Sequence, residues 1–483
     1  MDEISLKTIS SAEAFVEKLL ASNMLSGDIL TEAHMAKTAL AYELARANYP
    51  SDAVGSIAGL EAQLASQLAE WVGEAVSPSS RRWGARWERS VGASLTPLME
   101  RLGERALPAE QELIIAERLR DFLVRHHEHL DPTVSLGTEA AYQGGRGDGR
   151  GEESSEAIQV TASRVQEVLD GVSQYAGNQV VEIRQLMGGY SKETFIIHLK
   201  DGNGRDYRQV LRKDGPGLPT GTSVVNEYQV LNEVAALGLP VAPPACLEPD
   251  AGKLGTAFML VDFVVGQPAH LTVPADPDIR RSWAKSIADS LVTLHKQTLQ
   301  AAGDLRLSLS REIEEMHQRV ADRERNAHPA IAFGLSWLQA HLSDLDGRPA
   351  CRVHADVGFH NMLMADDRLV ALLDWEFSHI SDPVEDLSYV KLFMDQLGQW
   401  PWFLDYYEQQ SGLRYDAKAA RYFTVWKEVR NAIACQGSLN SLLLPGVRNI
   451  ALSVAGNLYI PKFEIGILDA IVDANSTGGE HHD

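Results

Sequence analysis

Asp356, Asn361 and Asp374 are the residues of this chain whose types and spacing could do chemistry. The first two lie in Val353-His354-Ala355-Asp356-Val357-Gly358-Phe359-His360-Asn361. The third closes an apolar run, in Ala371-Leu372-Leu373-Asp374-Trp375-Glu376, thirteen residues beyond Asn361. Two acids and an amide of this kind suit phosphoryl transfer, in which the protein does little covalent work and positioning and charge stabilisation dominate. Asp356 would accept the proton of an attacking hydroxyl. Asn361 and Asp374 offer hard oxygen ligands of the kind Mg²⁺ prefers, and the metal would bridge phosphate oxygens of ATP.

The chemistry requires that these residues meet. Asp356 and Asn361 are five residues apart, as in the kinase catalytic-loop pattern H-R-D-x-x-x-x-N. The interval to Asp374 fits a hairpin: a strand over 361–365, a turn at Asp366-Asp367-Arg368 and a strand over 369–374. Such a hairpin returns Asp374 to the neighbourhood of Asn361. Glu376 reads as a brace, with a metal or substrate role as the rival. His354 and His295 read as buried, hydrogen-bonded structural histidines.

The segments HADVGFHN, LLDWEF and SDPVEDL together resemble the aminoglycoside phosphotransferase and choline kinase family, whose pattern is HGD…N…DWE…GDP..DL. The likeness is closer to the kinase-like domains associated with acyl-CoA dehydrogenases. The resemblance implies a two-lobed protein kinase-like fold, with Asp356 as catalytic base, Asn361 and Asp374 as metal ligands, and Asp386 bracing the catalytic loop. One departure is Ala355, where the family pattern has glycine. A positive φ there would strain an alanine and not a glycine.

The nucleotide side lies upstream. Gly188 and Gly189 sit between strand-like segments 180–186 and 194–199, where backbone N–H groups can approach phosphates unhindered by a Cβ. Ser191 could add a hydroxyl, and LMGGYSKETF is similar to the family's phosphate-covering loop. A third strand, 207–212, should bring a cation to the α- and β-phosphates. Arg212 and Lys213 are the candidates and face opposite sides. Val210-Leu211-Arg212 phases like V-A-I-K and selects Arg212, with Lys213 the rival. Glu227, on a helix capped by Thr222 or Ser223 and running to about Leu237, looks like the family's acid that pairs with this cation. Glu233 is the competing acid. The hinge is expected at Val261-Asp262-Phe263-Val264, with backbone groups of Asp262 and Val264 holding adenine.

At 483 residues the chain should fold as two or three domains. Its net charge of −22 argues against nucleic acid and anionic membrane surfaces as partners. Three cysteines without a C-x-x-C pair argue against zinc and a disulfide framework. No signal peptide and no apolar run long enough to span a membrane are visible, so a cytoplasmic location is expected.

Residues 136–157 carry six glycines and few large apolar groups and read as a flexible linker. Before it, an all-α helical domain is expected over 1–135, from a capping-box pattern at Ser10 and apolar stripes through Leu60, Leu64 and Leu68 and through Leu113, Leu119 and Phe122. Pro108 should open the last of these helices. His126-His127-Glu128-His129 has poor spacing for one metal, because adjacent helical positions point apart. After the linker, a β-rich nucleotide-binding lobe is expected over 158–265 and a helical lobe over 266–475, with a disordered tail over 476–483. The helical lobe should contain 277–300, 309–320, 329–344, 384–397, 400–411, 416–436 and about 447–471.

These readings converge on a phosphotransferase with a small-molecule hydroxyl as acceptor and ATP and Mg²⁺ as cofactors. The resemblance points the acceptor toward a catabolic alcohol or a hydroxyacyl-CoA, with an aminoglycoside or macrolide antibiotic as the alternative. A non-catalytic nucleotide-binding scaffold is the rival of a different class. The N-terminal helices would serve as a homodimer surface or contact the rest of their own chain.

Overall fold

The computed structural model describes residues 51–72, 92, 94–102, 107–128, 160–186, 192–215, 221–271, 273–299, 303–323, 327–440 and 450–476. Besides 3-10 turns and the single-turn helix Ala251–Leu254, the helices and strands in chain order are α1 (Ser51–Val72), α2 (Thr96–Leu102), α3 (Ala109–Glu128), α4 (Ala162–Asp170), β1 (Gln179–Leu186), β2 (Lys192–Lys200), β3 (Asp206–Asp214), α5 (Val224–Ala236), β4 (Pro244–Glu248), β5 (Phe258–Asp262) and β6 (Gln267–Pro268). There follow α6 (Pro277–Thr298), α7 (Leu305–Arg323), α8 (Pro329–Ala340), β7 (Cys351–Val353), β8 (Met362–Ala365), β9 (Arg368–Leu372), β10 (His379–Ser381), α9 (Val384–Gln396), α10 (Trp400–Ser411), α11 (Ala417–Asn440) and α12 (Ile450–Ser476). The linker 136–157, the capping box at Ser10 and the tail lie outside the described residues.

Two compact units emerge, and they interleave along the chain. One takes 152–311 and 344–423, and the other takes the stretches before, between and after these. This grouping differs from the consecutive domains expected along the sequence. The reason is visible in α8, where every position from Pro329 to Leu338 is buried. A helix buried on all faces needs partners all round. It packs on α2 and α12, and a Cβ at its Gly334 would meet Val429 and Ile467. Within the same unit the buried Glu112 of α3 accepts from Trp337 Nε1 and His341 Nε2, both at 3.0 Å, and from Asn475 at 3.3 Å. That satisfies a carboxylate that would be costly to bury alone.

The other unit contains a five-stranded antiparallel sheet in the order β1-β2-β3-β5-β4. Its tight β2–β3 turn follows from Asp201, whose side chain accepts from the N–H groups of Asn203 and Arg205, and from Gly204 at φ +83°. Strand alternation sorts the residues by face. Phe195, Ile197, Leu199 and Leu211 join Val165, Val168 and Leu169 of α4 in an apolar core, while Thr194 and Arg212 lie on the opposite face. Ser223 caps α5, its hydroxyl accepting from Val225 N. Downstream, β8 and β9 form the expected hairpin around Asp366, which adopts φ +54°, and β6 pairs with β8. The three-residue strands β7 and β10 pair on either side of it in sequence. Helices α6 and α10 pack together beneath. Among the described residues, no helix is long and apolar enough to cross a membrane.

Candidate active site

The β8–β9 hairpin carries the chain back past Asn361, whose carbonyl accepts from Leu373 N at 2.7 Å. Asn361 and Asp374 therefore stand in adjacent chain segments, as their spacing requires. The Asn361 amide donates to Asp356 Oδ2 at 2.8 Å and to the Asp356 carbonyl at 3.1 Å. His360 Nε2 lies 3.2 Å from the same carboxylate oxygen. Burial works to lower the His360 pKa, but the neighbouring Asp356 carboxylate outweighs it, and the imidazole sits above its ordinary value. Gly358 makes room for this ring, because a Cβ there would fall 2.3 Å from His360 Cε1.

The loop beneath Asp356 is held by one buried acid. Asp386 accepts from His354 N at 2.9 Å and Ala355 N at 2.7 Å. His295 Nε2 lies 3.0 Å from it, and Nδ1 of the same ring lies 2.7 Å from Tyr407 Oη. Burial pushes the Asp386 carboxyl up, but these partners pull harder and leave it below the usual carboxylate value. His354 is pushed down by burial. Its Nε2 donates to the Leu373 carbonyl at 2.9 Å, and its Nδ1 accepts from Asp356 N at 3.2 Å. Both histidines thus occupy structural places. Ala355 has φ +67°, so the loop does require the left-handed region at the position where the family pattern has glycine.

Across from this loop, Arg212 of β3 donates to Asp374 Oδ1 at 2.8 Å and lies 3.4 Å from Glu227 Oε1 of α5. Burial opposes the charge of Arg212, yet Glu227 and Asp374 raise its pKa above the ordinary value. Burial likewise raises the Glu227 carboxyl, to about 7, against the pull of Arg212. Lys213 turns to the other face and pairs with Glu193 at 2.9 Å. Glu233, the competing acid, forms a two-pronged pair with Arg352 instead. At the hinge, Asp262 N donates to the Pro243 carbonyl at 2.9 Å. Its side chain accepts from Gln209 Nε2 at 3.0 Å. Val264 is half-buried beside it. Gly188, Gly189 and Ser191 lie outside the described residues.

Sequence reasoning missed two features. One is the Glu233–Arg352 pair. The other is a buried cluster of Lys192, Asp214, Thr222 and Glu376, for which strand register was the missing signal. Glu376 accepts from Thr222 Oγ1 at 2.6 Å, which favours its reading as a brace.

The donor set fits a hard cation. The two amide hydrogens of Asn361 are spent on Asp356, leaving its carbonyl oxygen, and Asp374 gives one carboxylate oxygen to Arg212. Among the described residues, no group of three or more His, Cys, Asp or Glu side chains could hold a metal. One amide and one carboxylate, completed by phosphate oxygens and water, is a normal Mg²⁺ environment.

The sequence profile of the phosphotransferase enzyme family, APH, matches residues 182–430. Acyl-CoA dehydrogenase family member 11 of Mus musculus is 28% identical over 236 residues, which cover 46% of this chain and 29% of that protein. Acyl-CoA dehydrogenase family member 10 of the same species is 27% identical over 227 residues, covering 43% of this chain and 20% of that protein. The matched stretch thus spans less than a third of these relatives. Choline kinase LicA from Streptococcus pneumoniae superposes with a TM-score of 0.45 at 18% identity, over 62% of this chain and 98% of that one.

Proposed function

Because the chain belongs to the phosphotransferase enzyme family, we propose that it is a kinase that transfers the γ-phosphate of ATP, held with Mg²⁺, to a hydroxyl of a small molecule. The observation that carries this reading is the pairing of Asn361 with Asp356 beside the ion-paired series Glu227, Arg212 and Asp374. Asp356 accepts the proton of the acceptor hydroxyl. Asn361 and His360 fix its carboxylate by bonding one oxygen. Arg212, held in place by Glu227, presents a planar fork to the phosphates. Asn361 and Asp374 are the side chains that would hold Mg²⁺, which supplies charge neutralisation on the phosphate oxygens. Backbone groups at Asp262 and Val264 receive the adenine, and the segment with Gly188, Gly189 and Ser191 covers the phosphates.

The acceptor belongs among catabolic alcohols and hydroxyacyl-CoAs. The support is the likeness to two acyl-CoA dehydrogenase family members. The test is a screen for ADP release with Mg·ATP across alcohols, hydroxyacyl-CoAs, aminoglycosides and macrolides. Turnover is expected with an alcohol or hydroxyacyl-CoA. Turnover confined to an antibiotic overturns the acceptor class, and Mg·ATP binding without turnover of any alcohol revives the scaffold.

A further inference from the structure

The first charged series, Glu227–Arg212–Asp374, lies beside a second that the proposed mechanism does not use. Lys192 opens β2 with its side chain only 2% exposed. Its ammonium meets the Thr222 carbonyl at 2.5 Å, Thr222 Oγ1 at 3.3 Å, Asp214 Oδ1 at 3.3 Å and Glu376 Oε2 at 3.3 Å. In the β2–β3 register Lys192 faces Asp214 and Thr194 faces Arg212. The two cations therefore lie on one face of the sheet, about 7 Å apart along the strands. Each cation has an acid of the segment 374–376 as partner: Asp374 for Arg212 and Glu376 for Lys192.

The second series also fixes the start of α5. Asp214 accepts from Ser223 Oγ at 2.7 Å and Val224 N at 2.8 Å, at the cap of that helix. Glu227 follows one turn later. A single buried ammonium thus ties together the sheet, the helix that carries Glu227 and the turn that carries Asp374. Without it, Asp214 and Glu376 would be two buried carboxylates with their common cation removed, an arrangement that drives groups apart.

We propose that Lys192 is a positioning residue: through Glu376 and Asp214 it sets the Asp374 turn against α5 so that Asp374 can bind the cation while Arg212 reaches the phosphates. This inference rests on the proposed function and deepens it. Outer partners of metal ligands typically contribute 10–100-fold to metal affinity.

The experiment follows binding of a fluorescent ATP analogue as Mg²⁺ is varied, with the thermal midpoint of each variant recorded alongside. Lys192→Met keeps the length of the side chain and removes its charge. It is expected to raise the Mg²⁺ concentration for half-maximal binding at least about tenfold, with Lys192→Arg recovering part of the loss. Glu376→Gln should do the same, and the Lys192→Met/Glu376→Gln double variant should be no worse than the single ones, because both act along one path. If Lys192→Met alone does not fold, the double variant, which buries no unpaired charge between these two, carries the comparison. A folded variant lacking Lys192 with the wild-type Mg²⁺ requirement overturns the proposal, as does a double variant whose loss is the product of the single losses. A wild-type chain that binds no nucleotide at any Mg²⁺ concentration overturns the proposed function and this inference with it.

Discussion

The Asn361 amide donates twice to Asp356, once to its carboxylate at 2.8 Å and once to its backbone carbonyl at 3.1 Å. The proposed general base and the proposed amide ligand are therefore hydrogen-bonded as one unit, and each variant tests the other. A positioned general base contributes on the order of 10²–10⁴ in rate. Asp356→Ala is expected to lose turnover by that factor while a fluorescent ATP analogue still binds. Asn361→Ala should lose turnover and also require more Mg²⁺ if Asn361 is the proposed metal ligand as well as the clamp on Asp356. Turnover retained in Asp356→Ala removes that residue from the mechanism.

Ala355 sits at φ +67° and is fully buried against Cys351 and Val353. An L-residue in this region carries a strain of about 1–2 kcal/mol, which glycine would relieve. Removing a buried methyl group costs about 1 kcal/mol and offsets most of the gain. Ala355→Gly should thus leave stability within about 1 kcal/mol of wild type, whereas Ala355→Val adds both branching strain and overpacking of about 1–3 kcal/mol. Denaturant midpoints of the two variants check this. A loss in Ala355→Gly as large as in Ala355→Val would mean that packing, not the backbone angle, governs the site.

The Glu227 carboxyl is raised to about 7 from an ordinary 4.5, with burial the largest cause and Arg212 opposing it. For a raised acid the folded chain holds the proton longer than the unfolded chain. The stabilisation from the protonated form is complete below 4.5 and is lost as pH rises through about 7. Charging of the Glu227–Arg212 pair runs the other way. Nucleotide affinity is therefore expected to increase as pH climbs from 6 to 8, by up to about tenfold per unit on the acid side. Glu227→Gln should flatten that limb. A limb that persists in Glu227→Gln belongs to another group.

What was legible in the sequence follows from local rules. The β8–β9 hairpin was readable because the turn residues Asp366-Asp367-Arg368 divide the interval from Asn361 to Asp374 into two strand-length stretches, and α5 was readable because Thr222 or Ser223 offered a cap before it. The choice of Arg212 over Lys213 followed from strand alternation together with the V-A-I-K phasing of Val210-Leu211-Arg212, and the two do face opposite ways. Lys192 was not readable in this manner. Its partners Asp214, Thr222 and Glu376 come from three other segments, and only the strand register aligns it with the first of them. Strands β7 and β10 are three residues each, too short to show a period. Helix α8 was expected only as one helix of the helical lobe, over 329–344, and its packing on α2 and α12 had no signal in sequence order.

Glu233 and Arg352 form a two-pronged ion pair, Nε to Oε1 and Nη2 to Oε2, both at 2.8 Å. The pair joins the last turn of α5 to β7, the strand that leads into the loop carrying Asp356. A backbone bond from Leu372 N to the Pro240 carbonyl at 2.7 Å ties the segment after α5 to the hairpin. Helix α5 is thus fixed at both ends, by Glu227 on Arg212 and by Glu233 on Arg352. Glu233 is partly exposed, and solvent screening limits such a pair to about 1 kcal/mol. A double-mutant cycle of Glu233→Gln and Arg352→Met should therefore give a small coupling in thermal stability. If the pair holds α5 in its working position, the same cycle should give a larger coupling in nucleotide affinity, because Glu227 moves with the helix. Equal couplings in both measurements would make the pair a plain surface contact and leave the Pro240–Leu372 bond as the tether.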